Sequence, residues 1–229
     1  MPLEWKTTRV GDATVVHWKQ HNPIEVLSAL ETEPIDSIGK HPRVNVHRFG
    51  PHHIAVRSFN WADIRAGLYL PASELFTRLR ELVDKKKAIL EMPVALIQRK
   101  NTNPIIVTLW KKKTRNLQEV LADSKTTNAE KAKACITASR KLAILHSLGY
   151  LHVHPHADNF VVSERGESYF ADYTLFRNFN LPGKGLLEAK RSLKHISKKY
   201  SNNKAKQRAI AAKMTLEYAK ERLKAAVDK

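Results

Sequence analysis

A histidine-rich segment and a carboxylate shortly after it are the residues of this sequence best suited to chemistry. His152, His154 and His156 alternate ahead of Asn159, and Asp172 follows the second of two short apolar runs. An amide oxygen from a tight loop and a carboxylate from the next strand can share one divalent cation such as Mg²⁺. Asn159 and Asp172 are therefore candidates to share one divalent cation.

The spacing of these residues resembles the catalytic loop of the protein-kinase-like superfamily. The family pattern His-Arg-Asp-x-x-x-x-Asn falls on residues 152–159 without a gap, and Asp172 matches the Asp of Asp-Phe-Gly. The resemblance covers about residues 44–176 and implies ATP held through magnesium by Asn159 and Asp172. In layout the chain is nearest the RIO-type kinases and the small kinase subunit of the tRNA threonylcarbamoyl-modification complex.

Departures from the family pattern weigh against ordinary phosphotransfer. His154 replaces the catalytic Asp; a histidine can act as a base but lacks the carboxylate charge. Arg57 replaces the phosphate-anchoring Lys, with Glu74 as its expected orienting partner and Glu81 as the second choice. The sequence has no Gly-rich phosphate loop, and Thr174 replaces the Gly of Asp-Phe-Gly. We expect a degenerate kinase-like protein that binds Mg-ATP or a related nucleotide, with weak or absent phosphotransfer. An active atypical kinase using His154 as base is the alternative.

The alternating histidines also permit a zinc-hydrolase hypothesis. Alternate residues of an extended segment point the same way, so two imidazoles can reach one zinc ion. Further ligands would have to come from residues such as His146, His195 and Asp172. Pro155 favours a loop over a regular strand at this point. On the kinase-like interpretation, His152 instead braces the loop as a structural residue.

The chain carries a strong positive charge, concentrated towards its end. The net charge is +18, and from Lys184 onward fourteen Lys and Arg face four Asp and Glu. Such a surface attracts nucleic acid or an acidic protein, which makes a polyanion-binding adaptor a third hypothesis. A solvated helical surface is the alternative explanation. The densest cluster comprises Lys198, Lys199, Lys204, Lys206 and Arg208, and a second patch is formed by Lys111, Lys112 and Lys113.

Composition indicates a cytoplasmic protein without a membrane span. The 229 residues contain one cysteine, Cys135, so no disulfide can form within the chain and a reducing compartment is expected. Cys135 lies within a helical pattern, where a small buried hydrophobe is expected rather than a nucleophile. No apolar run approaches the roughly 20 residues of a membrane span. The first residues also lack the layout of a signal peptide.

Hydrophobic periodicity predicts the elements that must position the candidate site. The predicted strands are 13–18, 44–49, 53–59, 93–97, 105–110, 160–162 and 168–170. The predicted helices are 23–31, one starting near Ser73 as N-cap, 117–121, 128–148 and the chain after Gly185. The predicted buried faces are Leu75, Leu79, Leu82 and Val83 in the second helix, and Ala132, Cys135, Ile136, Leu142 and Leu145 in the longest.

The order of these elements favours an α+β fold of the two-lobed protein-kinase-like type. Strands dominate the first half and helices the second, as in that layout. We expect a β-rich N-lobe with an N-terminal extension over residues 1–110. A reduced helical C-lobe with basic terminal helices is expected over residues 111–229.

Overall fold

The fold is α+β, as predicted from the sequence. A computed structural model describes residues 4–38, 44–60, 70–84, 92–110, 115–152, 156–170, 176–178 and 184–227. The chain divides into two units. The first comprises Met1–Lys86 and Glu91–Lys112, and the second comprises Lys87–Leu90 and Lys113–Lys229. Among the described helices, none is both long and apolar enough to cross a membrane.

The first unit is built on one antiparallel sheet. Its strands are β1 (Trp5–Val10), β2 (Ala13–Trp18), β3 (Asp36–Ile38), β4 (Val44–Phe49), β5 (His52–Ser58), β6 (Pro93–Arg99) and β7 (Ile105–Trp110). Its described helices are α1 (Pro23–Glu31) and α2 (Ala72–Asp84). The seven strands lie in the order β1-β2-β6-β7-β5-β4-β3. The predicted hairpin is confirmed, because β4 and β5 pair from Val44 opposite Arg57 to Phe49 opposite His52.

Helix α1 covers one face of this sheet. Asn22 caps the helix by accepting a hydrogen bond from the Ile24 N–H at 3.0 Å. Val26 of the helix belongs to the same buried cluster as Ile54 and Val56 of β5. Because side chains alternate along a strand, Ala55 and Arg57 lie on the opposite face.

Helix α2 packs on that opposite face. Trp5 pairs with Trp18 across β1 and β2, on the face away from Ala13, and its ring meets Phe76 of α2 edge-on at 5.2 Å. The helix begins at Ala72, so the prediction of Ser73 as N-cap is wrong. The Leu75 N–H donates to the Pro71 carbonyl, which places Pro71 at the cap and Ser73 inside the first turn. The predicted face is mostly confirmed: Leu75, Leu79 and Leu82 are fully buried, and Val83 is half-buried.

The second unit contains short strands packed on helices. Its strands are β8 (Arg115–Asn116), β9 (Tyr150–His152), β10 (Phe160–Val162), β11 (Ser168–Phe170) and β12 (Phe176–Asn178). Its described α-helices are α3 (Leu117–Ala122), α4 (Asn128–Ser147), α5 (Lys184–Tyr200) and α6 (Lys204–Val227). Helix α4 packs against α5, α6 and β11, so it forms the centre of this unit.

Capping residues fix the starts of two of these helices. Asn116 begins α3 and Thr127 begins α4, each in a capping box with a Glu three residues later. At the end of α3 the Asp123 carboxylate accepts a hydrogen bond from the Lys125 N–H, which has the largest effect on its pKa. It also accepts hydrogen bonds from the Arg115 and Thr126 side chains. Together these bonds lower the pKa of Asp123 to about 2.

The buried side of α4 differs in part from the prediction. Leu142, Leu145 and Cys135 are fully buried as predicted, and burial raises the pKa of the Cys135 thiol to about 12. Ala132 and Ile136 are only half-buried. Small residues take most of the remaining buried positions, because the helix has neighbours on several sides: Ala134, Thr137, Ala138, Ser139 and Ala143.

Candidate functional site

Two strand pairs flank, along the chain, the segments that carry the predicted site. In the pair β9–β12, His152 lies opposite Phe176. In the hairpin β10–β11, Phe160 lies opposite Phe170. The residues that flank segment 153–159, His152 and Phe160, are therefore paired with the residues that flank segment 171–175. His154, Asp172 and Thr174 themselves lie outside the described residues, as does the patch Lys111, Lys112 and Lys113.

A turn at each end leads the chain into and out of the first segment. Gly149 follows α4 with a positive φ of 81°, a conformation that glycine adopts without strain. Its N–H donates to the His146 carbonyl at 3.2 Å and closes the helix. A single 3₁₀ turn, Ala157–Asn159, precedes β10, and the Asn159 N–H donates to the His156 carbonyl at 3.1 Å. Asn159 is half-buried immediately before β10.

Three neighbouring aromatic rings join strands β9, β10 and β11. The His152 ring stacks on Phe170 with centroids 5.1 Å apart and planes 15° apart. Phe170 in turn contacts Phe160 at 4.6 Å. All three side chains are buried. A buried, stacked imidazole is suited to bracing the loop, which supports the structural role expected for His152.

A buried polar network ties β9 to three helices. Glu188 of α5 accepts a hydrogen bond from the His152 N–H at 3.2 Å. The other carboxylate oxygen of Glu188 lies 3.4 Å from Nε2 of His146 in α4. Nδ1 of His146 shares a 2.8 Å hydrogen bond with the Tyr218 hydroxyl of α6. β9 and the three helices thus meet at polar groups that are largely buried, where such contacts are worth more than on the surface.

Two further histidines meet at the edge of the loop. The rings of His156 and His195 lie 4.3 Å apart, and burial, followed by the neighbouring His156, lowers the pKa of His195. Asp158 acts in the opposite direction on that pKa. In the described part of the chain, no group of three or more His, Cys, Asp or Glu side chains could hold a metal ion.

The predicted phosphate-contacting residue lies in the first unit. Arg57 is 5% exposed in β5, opposite Ile106 of β7, on the face that also carries α2. Glu74 lies in the first turn of α2 and pairs with Arg78, four residues later on the same helix. The orientation of Arg57 by Glu74, or by Glu81, stays a prediction.

The predicted polyanion-binding residues lie around the junction of α5 and α6. Lys198 and Lys199 are exposed in the last turn of α5, where cations stabilise the helix dipole. The first turn of α6 contains no acidic residue, so the exposed Lys204, Lys206 and Arg208 add to the positive end of that helix. This junction is a strongly positive surface.

No motif in the sequence indicates two members of the buried network, Glu188 and Tyr218. Glu188 is one of few carboxylates in a basic stretch, and its partner His146 precedes it by 42 positions. No protein-family model matches the sequence, and a search of curated proteins finds no match either.

Proposed function

We propose that this protein is a degenerate kinase-like protein that binds Mg-ATP or a related nucleotide and serves as a scaffold or regulator for a polyanionic partner. One observation carries the proposal: the pairs β9–β12 and β10–β11 bring together the ends of the segments that contain Asn159 and Asp172. In kinases the corresponding Asn and Asp hold the magnesium ions of one nucleotide. Asp172 is two residues along the chain from Phe170, and Asn159 directly precedes Phe160, the strand partner of Phe170.

The position of Arg57 also supports this proposal. In kinases the phosphate-binding Lys lies on a strand and pairs with a Glu of the helix that follows. Arg57 lies on a central strand whose opposite face packs on α1, and α2 follows it in the chain. A guanidinium keeps the positive charge of that Lys. We propose that Arg57 contacts a phosphate.

The residues that differ from the kinase pattern make phosphotransfer weak or absent in this proposal. His154 offers no carboxylate at the position that accepts the substrate hydroxyl proton. The alternative, an active kinase using His154 as base, predicts ATP-dependent phosphorylation that is lost in His154→Ala. Nucleotide binding without such turnover would favour the scaffold.

The test of nucleotide binding is a thermal-shift titration with ATP and Mg²⁺ on the wild type and on Asp172→Ala. A ligand at about 100 times its Kd adds about 2.7 kcal/mol to the free energy of unfolding. For a chain of this size, that corresponds to a Tm increase of roughly 5–10 °C. We expect the shift in the wild type with Mg²⁺ and a much smaller one in Asp172→Ala or with EDTA.

Glu164→Ala is the matched control for Asp172→Ala. Glu164 is an exposed carboxylate in the turn of the β10–β11 hairpin, at the end opposite Asn159. The control variant should keep the full ATP-dependent shift. Absence of any shift in the wild type would refute nucleotide binding, and a full shift in Asp172→Ala would refute the metal site. Stabilisation by Zn²⁺ alone would favour the zinc hydrolase.

A second function, RNA binding, is favoured by the cations at the start of α6. Three exposed cations around a helix N-terminus without acidic neighbours would attract phosphates. The measurement is fluorescence anisotropy of a single-stranded RNA between low and high salt. Each lost phosphate contact should reduce the slope of log K against log salt by about 0.7. Replacing Lys204, Lys206 and Arg208 by Ala should therefore flatten it by about 2, and no binding at low salt would exclude this function.

A further inference from the structure

Helices α5 and α6 form a hairpin with an apolar groove along its outer side. Asn203 caps α6 by accepting from the Ala205 N–H at 2.8 Å, and the Gln207 side chain donates to the Ser201 carbonyl at 2.6 Å. These contacts fix the turn between the helices. The groove has a volume of about 550 Å³.

The floor of the groove is apolar and built from regularly spaced residues. Ala189 and Leu193 line it from α5, and Ala211 and Tyr218 line it from α6. Leu186 marks one end and is 66% exposed, although it lies on the same helical face as Leu193. A contiguous apolar surface with a polar rim is a feature of protein-binding sites.

The rim of the groove is positive on both sides. Lys190, Lys194 and Lys198 follow one another at four-residue intervals along α5, and Arg208 faces them from α6. None of the described residues that line the groove is acidic. No ion pair joins these four cations to any carboxylate in the described part of the chain. The rim therefore complements an occupant with acidic flanks.

We propose that this groove binds an amphipathic helix of a partner protein, with an apolar stripe on the floor and Asp or Glu side chains towards the rim. The lining residues of α5 extend from Leu186 to Lys198, which at 1.5 Å per residue is about 18 Å, or three turns of a partner helix. Apolar anchors at positions i, i+4 and i+7 match such a groove.

The apolar floor distinguishes this occupant from a nucleic acid. A nucleic acid needs cations for its phosphates and exposed rings for its bases. Tyr218 is the aromatic residue among those that line the groove, and it is only 5% exposed, with its hydroxyl directed to His146. Cations could thus bind phosphates here, but the floor between them offers no surface for stacking. A protein helix uses both the floor and the rim.

This inference specifies the partner class of the scaffold role proposed above, but it does not depend on nucleotide binding. The assay contains no nucleotide and no Mg²⁺, so its failure would leave the thermal-shift result unaffected. Loss of nucleotide binding would equally leave the groove intact.

The experiment is fluorescence anisotropy with a labelled synthetic peptide of about 14 residues, the length of nearly four helical turns. Its Leu residues occupy one helical face and its other positions are Glu, Ala or Gln. A control peptide of identical composition has the Leu residues distributed around the helix. We expect the amphipathic peptide to bind the full chain at least tenfold more tightly than the control, and equal binding would overturn the proposal.

Variants of the protein test the floor and the rim separately. Ala211→Glu places a carboxylate on the floor, and Lys194→Glu reverses one rim charge; each should weaken peptide binding about tenfold, or about 1.4 kcal/mol. Lys213→Glu is the matched control, because Lys213 is exposed on α6 but does not line the groove. It should change affinity less than about twofold, since screening limits charges beyond a Debye length. A circular dichroism melt confirms that each variant is folded.

The remaining outcomes also decide the question. Equal weakening by Lys194→Glu and Lys213→Glu would show general attraction to the basic surface and would overturn the groove. A single-stranded RNA that displaces the peptide from the wild type, and that loses this ability to the same extent in the rim variant and in the control variant, would assign the surface to nucleic acid. A dimer in sedimentation that Leu186→Ser dissociates would assign the groove to a second copy of this chain. Leu186→Ser tests this without loss of folding, because Leu186 is exposed.

Discussion

Truncation of Phe170 should destabilise the second unit, because this ring is the middle member of the buried stack. Phe170 is 1% exposed and contacts both the His152 ring at 5.1 Å and the Phe160 ring at 4.6 Å. A buried Phe→Ala change costs about 3–5 kcal/mol through lost transfer energy and the cavity left behind. Two ring contacts are lost at once, so we expect about 4 kcal/mol.

Two optical signals can locate this loss. All four tryptophans lie in the chain ranges of the first unit, whereas four of the described α-helices belong to the second. Tryptophan fluorescence therefore reports on the first unit, and circular dichroism at 222 nm reports mainly on the second. In urea, with m of about 2 kcal/mol/M, the expected loss lowers the midpoint by about 2 M. In Phe170→Ala the dichroism midpoint should move further than the fluorescence midpoint.

Phe76→Ala is the reciprocal control. Phe76 is also 1% exposed, but it packs on Trp5 in the first unit. The same atoms are deleted, and the fluorescence midpoint should now move further than the dichroism midpoint. A dichroism change below about 1 kcal/mol in Phe170→Ala, far under the range for a buried Phe, would refute the structural role of the stack. A larger fluorescence shift than dichroism shift in that variant would refute it as well.

Three further predictions concern the second unit. Cys135 is buried, and burial raises the pKa of its thiol to about 12. A thiol reagent at pH 8 should therefore label the native protein about 100-fold more slowly than the urea-unfolded protein, and comparable rates would contradict this burial. Hydrogen bonds lower the pKa of Asp123 from 3.8 to about 2, so its stabilisation is present above pH 4 and lost as the pH falls towards 2. Asp123→Asn should flatten the acid side of the stability curve, and an unchanged pH dependence would be evidence against those hydrogen bonds. Tyr218→Phe removes the 2.8 Å hydrogen bond to His146 and should lower the free energy of urea unfolding by about 1–2 kcal/mol. Tyr200→Phe removes a longer and more exposed bond of 3.4 Å and should cost under about 0.5 kcal/mol. Equal costs would contradict the importance of the buried network.

Elements with a strong hydrophobic pattern were predictable from the sequence. The strands at 13–18, 44–49 and 105–110 and the helix α1 have the predicted limits. The strands at 13–18 and 44–49 alternate along most of their length, whereas 105–110 is a short apolar run with three consecutive buried residues, as in a strand covered on both faces. The helices after Gly185 are also confirmed, since their apolar residues recur at helical spacing.

Elements defined by their partners were not predictable. β1 is an edge strand without a fully buried residue, so its sequence lacks the alternation of a buried strand. β9 and β12 are three residues each and exist through pairing with one another. The polar core residues of α4 were missed for a related reason. The Thr137 and Ser139 hydroxyls donate to carbonyls of their own helix. These bonds satisfy the hydroxyls inside the core, although Thr and Ser in a sequence usually indicate surface positions.

The candidate site was predictable in its residue types but not in its surroundings. The pattern over residues 152–159 indicated the loop, and Asn159 does lie immediately before a strand, as expected. The buried partners come from residues distant in the chain, such as Glu188 and Tyr218, whose sequence neighbours carry no motif. Contacts that form only when three helices pack together cannot be inferred from any local pattern.

The register of the two strand pairs restricts which insertions and deletions this chain can accept. Segment 171–175 connects Phe170, fixed opposite Phe160, to Phe176, fixed opposite His152, so its two ends belong to different strand pairs. A one-residue shift of either pair, made to accommodate a deletion here, would turn every side chain of that strand to the other face. The turn at Glu164 faces no such restriction, because it connects two strands of one hairpin at their far end. Natural length variation should therefore accumulate in that turn, while the segment carrying Asp172 keeps its five residues.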